Sequence, residues 1–139
     1  MNNIENMRDL DDAKSQPRAL LFCYVGWSIQ ARHAEVRFRK LLQWWAARHP
    51  DRPLPGYRID LTEQQGELWD TFREWLSSQG IRREMIGALT TGGYGSLLWL
   101  RNNAIVDITV NFGEPSPDKA PQSEIEKQAE SNFGSTISN

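Results

Sequence analysis

Ala19-Leu20-Leu21-Phe22-Cys23-Tyr24-Val25, followed at once by Gly26-Trp27-Ser28-Ile29-Gln30-Ala31-Arg32, decides how the rest of this 139-residue chain is read. The first run carries no polar alternation, so both of its faces need cover, as in the central strand of an α/β sheet. Beyond it, from Gln30 to His49, the period changes to that of a helix. Ala34, Phe38, Leu41, Leu42 and Trp45 share one face, and Arg39, Lys40 and Gln43 point away from it. Val36 and Trp44 fall off the main stripe and, with Lys40, mark a second candidate surface. The layout is a buried strand, a tryptophan at its end and a helix starting just beyond.

Working outward, Met1 to Gln16 has no sustained pattern and reads as a flexible segment or short helix. Pro50, Pro53 and Pro55 end the long helix, because proline cannot continue it. Tyr57 to Leu61 is a short strand, and Thr62 is placed to cap a following helix. Glu67 to Ser78 puts Leu68, Trp69, Phe72, Trp75 and Leu76 on one side and stops at Gly80. Ile81 to Thr91 has room for one or two further helical turns. Gly92-Gly93-Tyr94-Gly95 leads into the strand Ser96–Leu100, and Arg101-Asn102-Asn103-Ala104 reads as a hairpin turn, since asparagine tolerates positive φ. Ile105 to Phe112 alternates as an antiparallel strand with one wetter face. After Gly113 the composition shifts to proline, serine and charge. The expected division is an N-terminal segment at 1–16, a domain at 17–113, and a tail at 114–139 that is disordered apart from a short helix at 123–133.

Length and composition narrow the function classes. A chain of 139 residues with six tryptophans and five phenylalanines suits one domain with one core. A net charge of −2 implies no polyionic partner. The basic stretch from Arg32 to Arg58 reads first as a solvated helix face, and nucleic acid is not an expected partner. The single cysteine, Cys23, excludes an intramolecular disulfide and a cysteine-rich metal site. His33 and His49 stand at opposite ends of one helix and cannot share a metal, so no metal or cofactor is expected. Met1 to Gln16 has no secretory apolar region, and no run reaches the roughly 20 apolar residues of a membrane span. A cytoplasmic protein is the expectation.

The order of elements resembles a thioredoxin domain, and local motifs carry the likeness. Leu21 to Trp27 resembles the thioredoxin strand that leads to the active-site tryptophan. Tyr57-Arg58-Ile59-Asp60 is similar to the middle strand ending in Asp. Gly95-Ser96-Leu97-Leu98-Trp99-Leu100-Arg101-Asn102-Asn103-Ala104-Ile105-Val106 resembles the Pro-Thr-Leu-Leu-Leu-Phe-Lys-Asn-Gly-Glu-Val segment that begins at a cis-proline. The resemblance covers about Arg18 to Gly113 and implies a thioredoxin-like α/β fold, a central mixed β-sheet flanked by helices.

The departures from that pattern bear on activity. Where the family has Trp-Cys-Gly-Pro-Cys-Lys, this chain has Trp27 to Arg32, with Ser28 and Ala31 in the thiol positions. Thiol–disulfide exchange needs an attacking thiolate and a resolving thiol, and a serine hydroxyl is far too weak an acid to replace the first. Gly95 stands at the cis-proline position, and Phe22 where many thioredoxins bury an acid. Ser28 reads foremost as a helix cap, with activation of a bound thiol such as glutathione as the competing role. Gly92-Gly93-Tyr94-Gly95 is not a phosphate loop, because it leads into a strand rather than a helix. The expectation is a protein without redox activity that binds a protein or peptide through Trp27, Ser28, Ile29, Tyr94 and Gly95. An assembly module or homodimer, built on Val36, Lys40 and Trp44, is the other alternative. The tryptophans of the two long helices exceed what one sheet face per helix absorbs, which favours a covered surface.

Overall fold

A computed structural model describes residues 1–110, 112 and 121–134. Its elements run β1 (Asn2–Ile4), α1 (Met7–Ser15), β2 (Ala19–Tyr24), α2 (Ile29–Arg48), β3 (Gly56–Asp60), α3 (Glu67–Ser78), α4 (Arg83–Thr91), β4 (Ser96–Arg101), β5 (Ala104–Thr109) and α5 (Pro121–Phe133). The strands form one mixed sheet in the order β1-β3-β2-β4-β5. β3 lies parallel to both β1 and β2, while β4 is antiparallel to β2 and β5.

The unbroken apolar run predicted a strand covered on both sides, and β2 is one. Ala19, Leu21 and Cys23 face a core closed by α1, α3 and α4. Leu20 and Phe22 face a second core closed by α2 and α5. β4 divides in the same way, with Leu98 and Leu100 in the first core and Leu97 and Trp99 in the second. Both strands follow the period of two that sends successive side chains to opposite faces.

The segment 1–16, expected to be flexible or a short helix, holds an edge strand and the helix α1, and α5 spans the short helix expected at 123–133. Asn2, Asn3 and Ile4 pair with Tyr57, Arg58 and Ile59, adding a parallel edge strand. Asn6 caps α1 by accepting from Asp9 N at 2.9 Å, and Asp9 in turn accepts from Glu5 N at 2.9 Å. The second bond reaches Glu5, one residue before the position a capping box uses, so the cap proper is the Asn6 side chain. Leu10 and Ala13 then bury in the first core. At the other end, Ile125, Ala129 and Phe133 of α5 bury in the second core. Residues 114–120 and 135–139 of the expected tail lie outside the described residues.

The alternation expected through Ile105–Phe112 is interrupted. A bulge shifts the register between Trp99 and Leu100, so Val106 is 47% exposed while Ile105 and Ile108 both pack against the first core. Two residues an odd number apart share a face only because the bulge inserts one residue. Asn102 and Asn103 take φ of 50° and 71°, as the predicted hairpin turn requires. Thr62 does not cap α3: Gly66 occupies the N-cap with φ 101° and no side-chain bond, and Thr62 serves the turn described below.

Polar contacts hold α5 in place. Arg52 donates to the carbonyls of Phe133 (3.1 Å) and Gly134 (2.5 Å) at the helix end, where carbonyls lack intrahelical partners. Glu130 pairs with His49 and, at 3.5 Å, with Arg48. The His49 hydrogen bond, aided by the charges of His49 and Arg48, holds the Glu130 carboxyl below the usual range despite some desolvation. Asp107 on β5 accepts from Gln128 (2.8 Å) and Asn132 (3.0 Å) of α5, and from Ile108 N (2.9 Å). Burial pushes its carboxyl up, but the hydrogen bonds outweigh that and leave it lowered. A carboxylate with a lowered native value stabilises the fold above its unfolded value, about 3.9 for aspartate, and loses that contribution as pH falls through the native one. Asp107→Asn therefore lowers stability at neutral pH by about 1–2 kcal/mol. The gap to wild type narrows as pH falls below the unfolded aspartate value and through the lowered native one, in urea unfolding measured across pH; a gap independent of pH would refute this role.

Candidate functional site

The residues expected to line a groove sit where the β2–α2 turn meets the loop before β4. The turn is tied to the end of β3: Gly26 N donates to Thr62 Oγ1 at 2.7 Å, the Thr62 hydroxyl donates to Asp60, and Leu61 N donates to Tyr24 O at 2.8 Å. Ser28 closes the turn with its own N–H on Val25 O at 3.2 Å and is the N-cap of α2, accepting from Ala31 N at 3.2 Å. Its hydroxyl proton goes to the carbonyl of Gly93, which stitches the turn to the facing loop. Ser28 is buried, so the hydroxyl is spent on these two bonds and no titratable side chain is bonded to it.

That bond makes Ser28 a structural cap, as the residue type alone suggested. Its truncation removes the cap and strands the Gly93 carbonyl. Ser28→Ala is expected to cost about 1–2 kcal/mol in thermal or urea unfolding. A loss below a few tenths would show that the cap and the stitch are both dispensable.

Trp27, 56% exposed, lies over Gly93: a Cβ there would meet the far edge of the indole at 2.7 Å. Tyr94, 38% exposed, folds its ring against Gly92, where an added Cβ would be 2.4 Å from it. The two aromatic rings thus flank the Gly92–Gly93 backbone, with Ile29 beside Trp27 at 64% exposure. Gly95 reaches φ +70° and packs directly on α2, with Ala34 Cβ 2.5 Å and Ala31 Cα 3.2 Å from where its own Cβ would stand. Its carbonyl accepts from Phe112 N at 3.1 Å. The loop opposite the turn is fixed by this contact with α2 and not by a proline ring.

The turn residues Trp27, Ser28 and Ile29 therefore meet the loop of Tyr94 and Gly95, with Tyr94 exposed and Gly95 buried against α2. Gly93 was missed by sequence reading; the signal for it was the Gly-Gly pair ahead of Tyr94, which lets two rings lie on bare backbone. Of the second candidate surface, Val36, Lys40 and Trp44 fall on one side of α2, at i, i+4 and i+8. Val36 and Lys40 are exposed on α2, but Trp44 is half-buried against the second core and carries Arg48 over its ring. The expected surplus of helix tryptophans is mostly absorbed as well. Trp45 and Trp75 are buried, while Trp69 packs against the first core under the Arg73 guanidinium, 5.0 Å from its ring.

The lone thiol lies inside the sheet. Cys23 is buried, and burial alone pushes its thiol up to about 12. Its neighbour across the antiparallel pair is Ser96, whose hydroxyl is buried with no hydrogen-bond partner among the described residues. An orphaned buried hydroxyl costs free energy, so Ser96→Ala is expected to raise stability by up to about 1 kcal/mol. A lower melting temperature for that variant would refute this account of the hydroxyl. The described residues contain no group of His, Cys, Asp or Glu able to hold a metal, and no helix long and apolar enough to cross a membrane.

Sheet order, flanking helices and the position of the strand–tryptophan–helix turn define a thioredoxin-like fold. A point mutant of thioredoxin from Halobacterium salinarum superposes with a TM-score of 0.57 at 16% identity, covering 94% of this chain and 88% of that one. The germline-specific thioredoxin Deadhead of Drosophila melanogaster gives 0.56 at 14% identity over 94% and 98% of the two chains. Thioredoxin O2 of Arabidopsis thaliana, in its oxidised state, gives 0.56 at 10% identity over 94% and 91%. No protein-family model and no curated protein sequence matches the chain. With one cysteine in the sequence, the fold carries no Cys-x-x-Cys dithiol.

Proposed function

We propose that this chain is a non-catalytic recognition module: a thioredoxin fold without thiol–disulfide exchange that holds a protein or peptide segment at the β2–α2 turn. The observation that carries the reading is the pairing of an exposed Trp27 and Tyr94 over a glycine floor, with the serine between them fully engaged in structure. Exposed aromatics are frequent anchors for a partner, because they offer large contact area at low entropy cost. The attacking thiol, the resolving thiol and the cis-proline are replaced by Ser28, Ala31 and Gly95. The competing role for Ser28, activation of a bound small thiol such as glutathione, loses support from its hydroxyl bond to Gly93.

The test is selection of peptides from a displayed random library on the wild-type chain, with counter-binding to a folded Trp27→Ala/Tyr94→Ala variant. Peptides that bind the first and lose at least about tenfold in affinity on the second support the groove, tenfold being 1.4 kcal/mol. Equal binding to both, or disulfide reduction by the wild-type chain with a dithiol donor, overturns the reading.

A further inference from the structure

The geometry points to a second docking surface, the solvent side of α2, whose occupant is an acidic amphipathic helix of another protein. The inner side of α2 is accounted for by Ala31, Ala34, Phe38, Leu41 and Trp45, all buried. Ile29, Val36 and Lys40, at i, i+7 and i+11, form a stripe on the opposite side. On this side Ile29 is 64% and Val36 56% exposed, two aliphatics about two turns apart on one line of the helix. This spacing is the one through which a second helix lays its apolar seam along the first.

The charges name the occupant. Arg37 donates to Phe112 O, Arg39 pairs with Glu35, and Arg48 pairs with Glu130, so these cations are already used by the fold. Arg32 and Lys40 are exposed beside the aliphatic stripe and have no acidic partner among the described residues. Glu35, the one acid of α2, is held by Arg58 and Arg39. This face thus carries two exposed aliphatics with His33 between them and the uncompensated cations Arg32 and Lys40 beside them. A second copy packed α2 against α2 would set Arg32 and Lys40 against their own kind, which is repulsive. A partner helix with leucine-type residues in its seam and glutamate or aspartate beside it meets both features. A nucleic-acid backbone would answer the cations but leave Ile29 and Val36 against phosphate. Ile29 borders both surfaces, but Val36 and Lys40 lie about two and three turns further along α2, so changes there separate this inference from the groove reading.

The experiment is an amide NMR titration of the full chain with a synthetic helical peptide of leucine and glutamate, a leucine and lysine peptide of the same pattern, and a single-stranded oligonucleotide. The acidic peptide is expected to shift the amides of α2 from Ile29 through Lys40. Its affinity should fall at least about tenfold in Val36→Glu/Lys40→Glu and be unchanged in Trp27→Ala/Tyr94→Ala. Lys40→Gln, which removes only the charge, should weaken it by a smaller factor, and added salt should do the same. Equal binding of the acidic and basic peptides overturns the proposal. So do shifts confined to the groove, preference for the oligonucleotide, and self-association of the chain that Val36→Glu abolishes.

Discussion

Replacing Trp45 by alanine is expected to lower the unfolding free energy by about 3–5 kcal/mol, the range for deletion of a buried tryptophan. The ring is about 1% exposed in the second core, meets Phe133 edge-on at 6.2 Å and lies 4.2 Å from the His49 ring. Its indole N–H donates to the carbonyl of Arg52 at 2.6 Å. Arg52 is also the residue that caps the end of α5 through Phe133 and Gly134. Truncation opens a cavity and at the same time releases the backbone that positions the cap, so α5 should loosen before the sheet does. Urea unfolding followed by far-UV dichroism, with hydrogen exchange at α5 amides, reads both effects. Trp44→Ala, at a half-buried site, serves as the control and should cost far less. A loss of under about 1 kcal/mol for Trp45→Ala would mean that α5 docks independently of this ring.

The second large effect is at Gly95. Its φ of +70° is costly for any residue with a Cβ, and the new methyl would lie 2.5 Å from Ala34 Cβ. Neither atom can swing away, because both belong to short side chains fixed to backbone. Gly95→Ala is therefore expected to cost about 2–4 kcal/mol, combining backbone strain with overpacking. Gly93→Ala makes the contrast. It has a similar φ of +69°, but its Cβ meets the outer edge of Trp27, an exposed ring that can rotate off. That variant should lose about 1 kcal/mol and change the Trp27 emission. If Gly95→Ala is no worse than Gly93→Ala, the close packing of this loop on α2 is not what fixes it.

Much of this architecture was legible in the sequence because the strongest signals are long and periodic. β2 and β4 announced themselves by apolar runs without alternation, and α2 and α3 by stripes several turns long. β1 left no such trace: of Asn2, Asn3 and Ile4 only the last is buried, and a three-residue edge strand exists through its pairing with β3. α5 was underestimated because its apolar residues are sparse, Ile125, Ala129 and Phe133, and much of its attachment comes from polar ties to Arg52, His49 and Asp107. Those ties link distant parts of the chain and have no local pattern. At the candidate site, Trp27 and Ser28 were found from their place after a buried strand. The use of Gly93 as a floor and of Thr62 as a brace for Gly26 depends on loops meeting in space.

The placement of α5 also constrains how the chain is made. Phe22, Trp45 and Trp99 share the core that Ile125, Ala129 and Phe133 complete, and they precede α5 in the order of synthesis. A ribosome that has released everything through β5 still presents a sheet with one face incompletely closed, lined by large aromatic rings. Such a surface is sticky at cellular concentrations until α5 arrives. The interval between the emergence of β5 and that of α5 is therefore the one in which this face of the sheet is most open to misassociation.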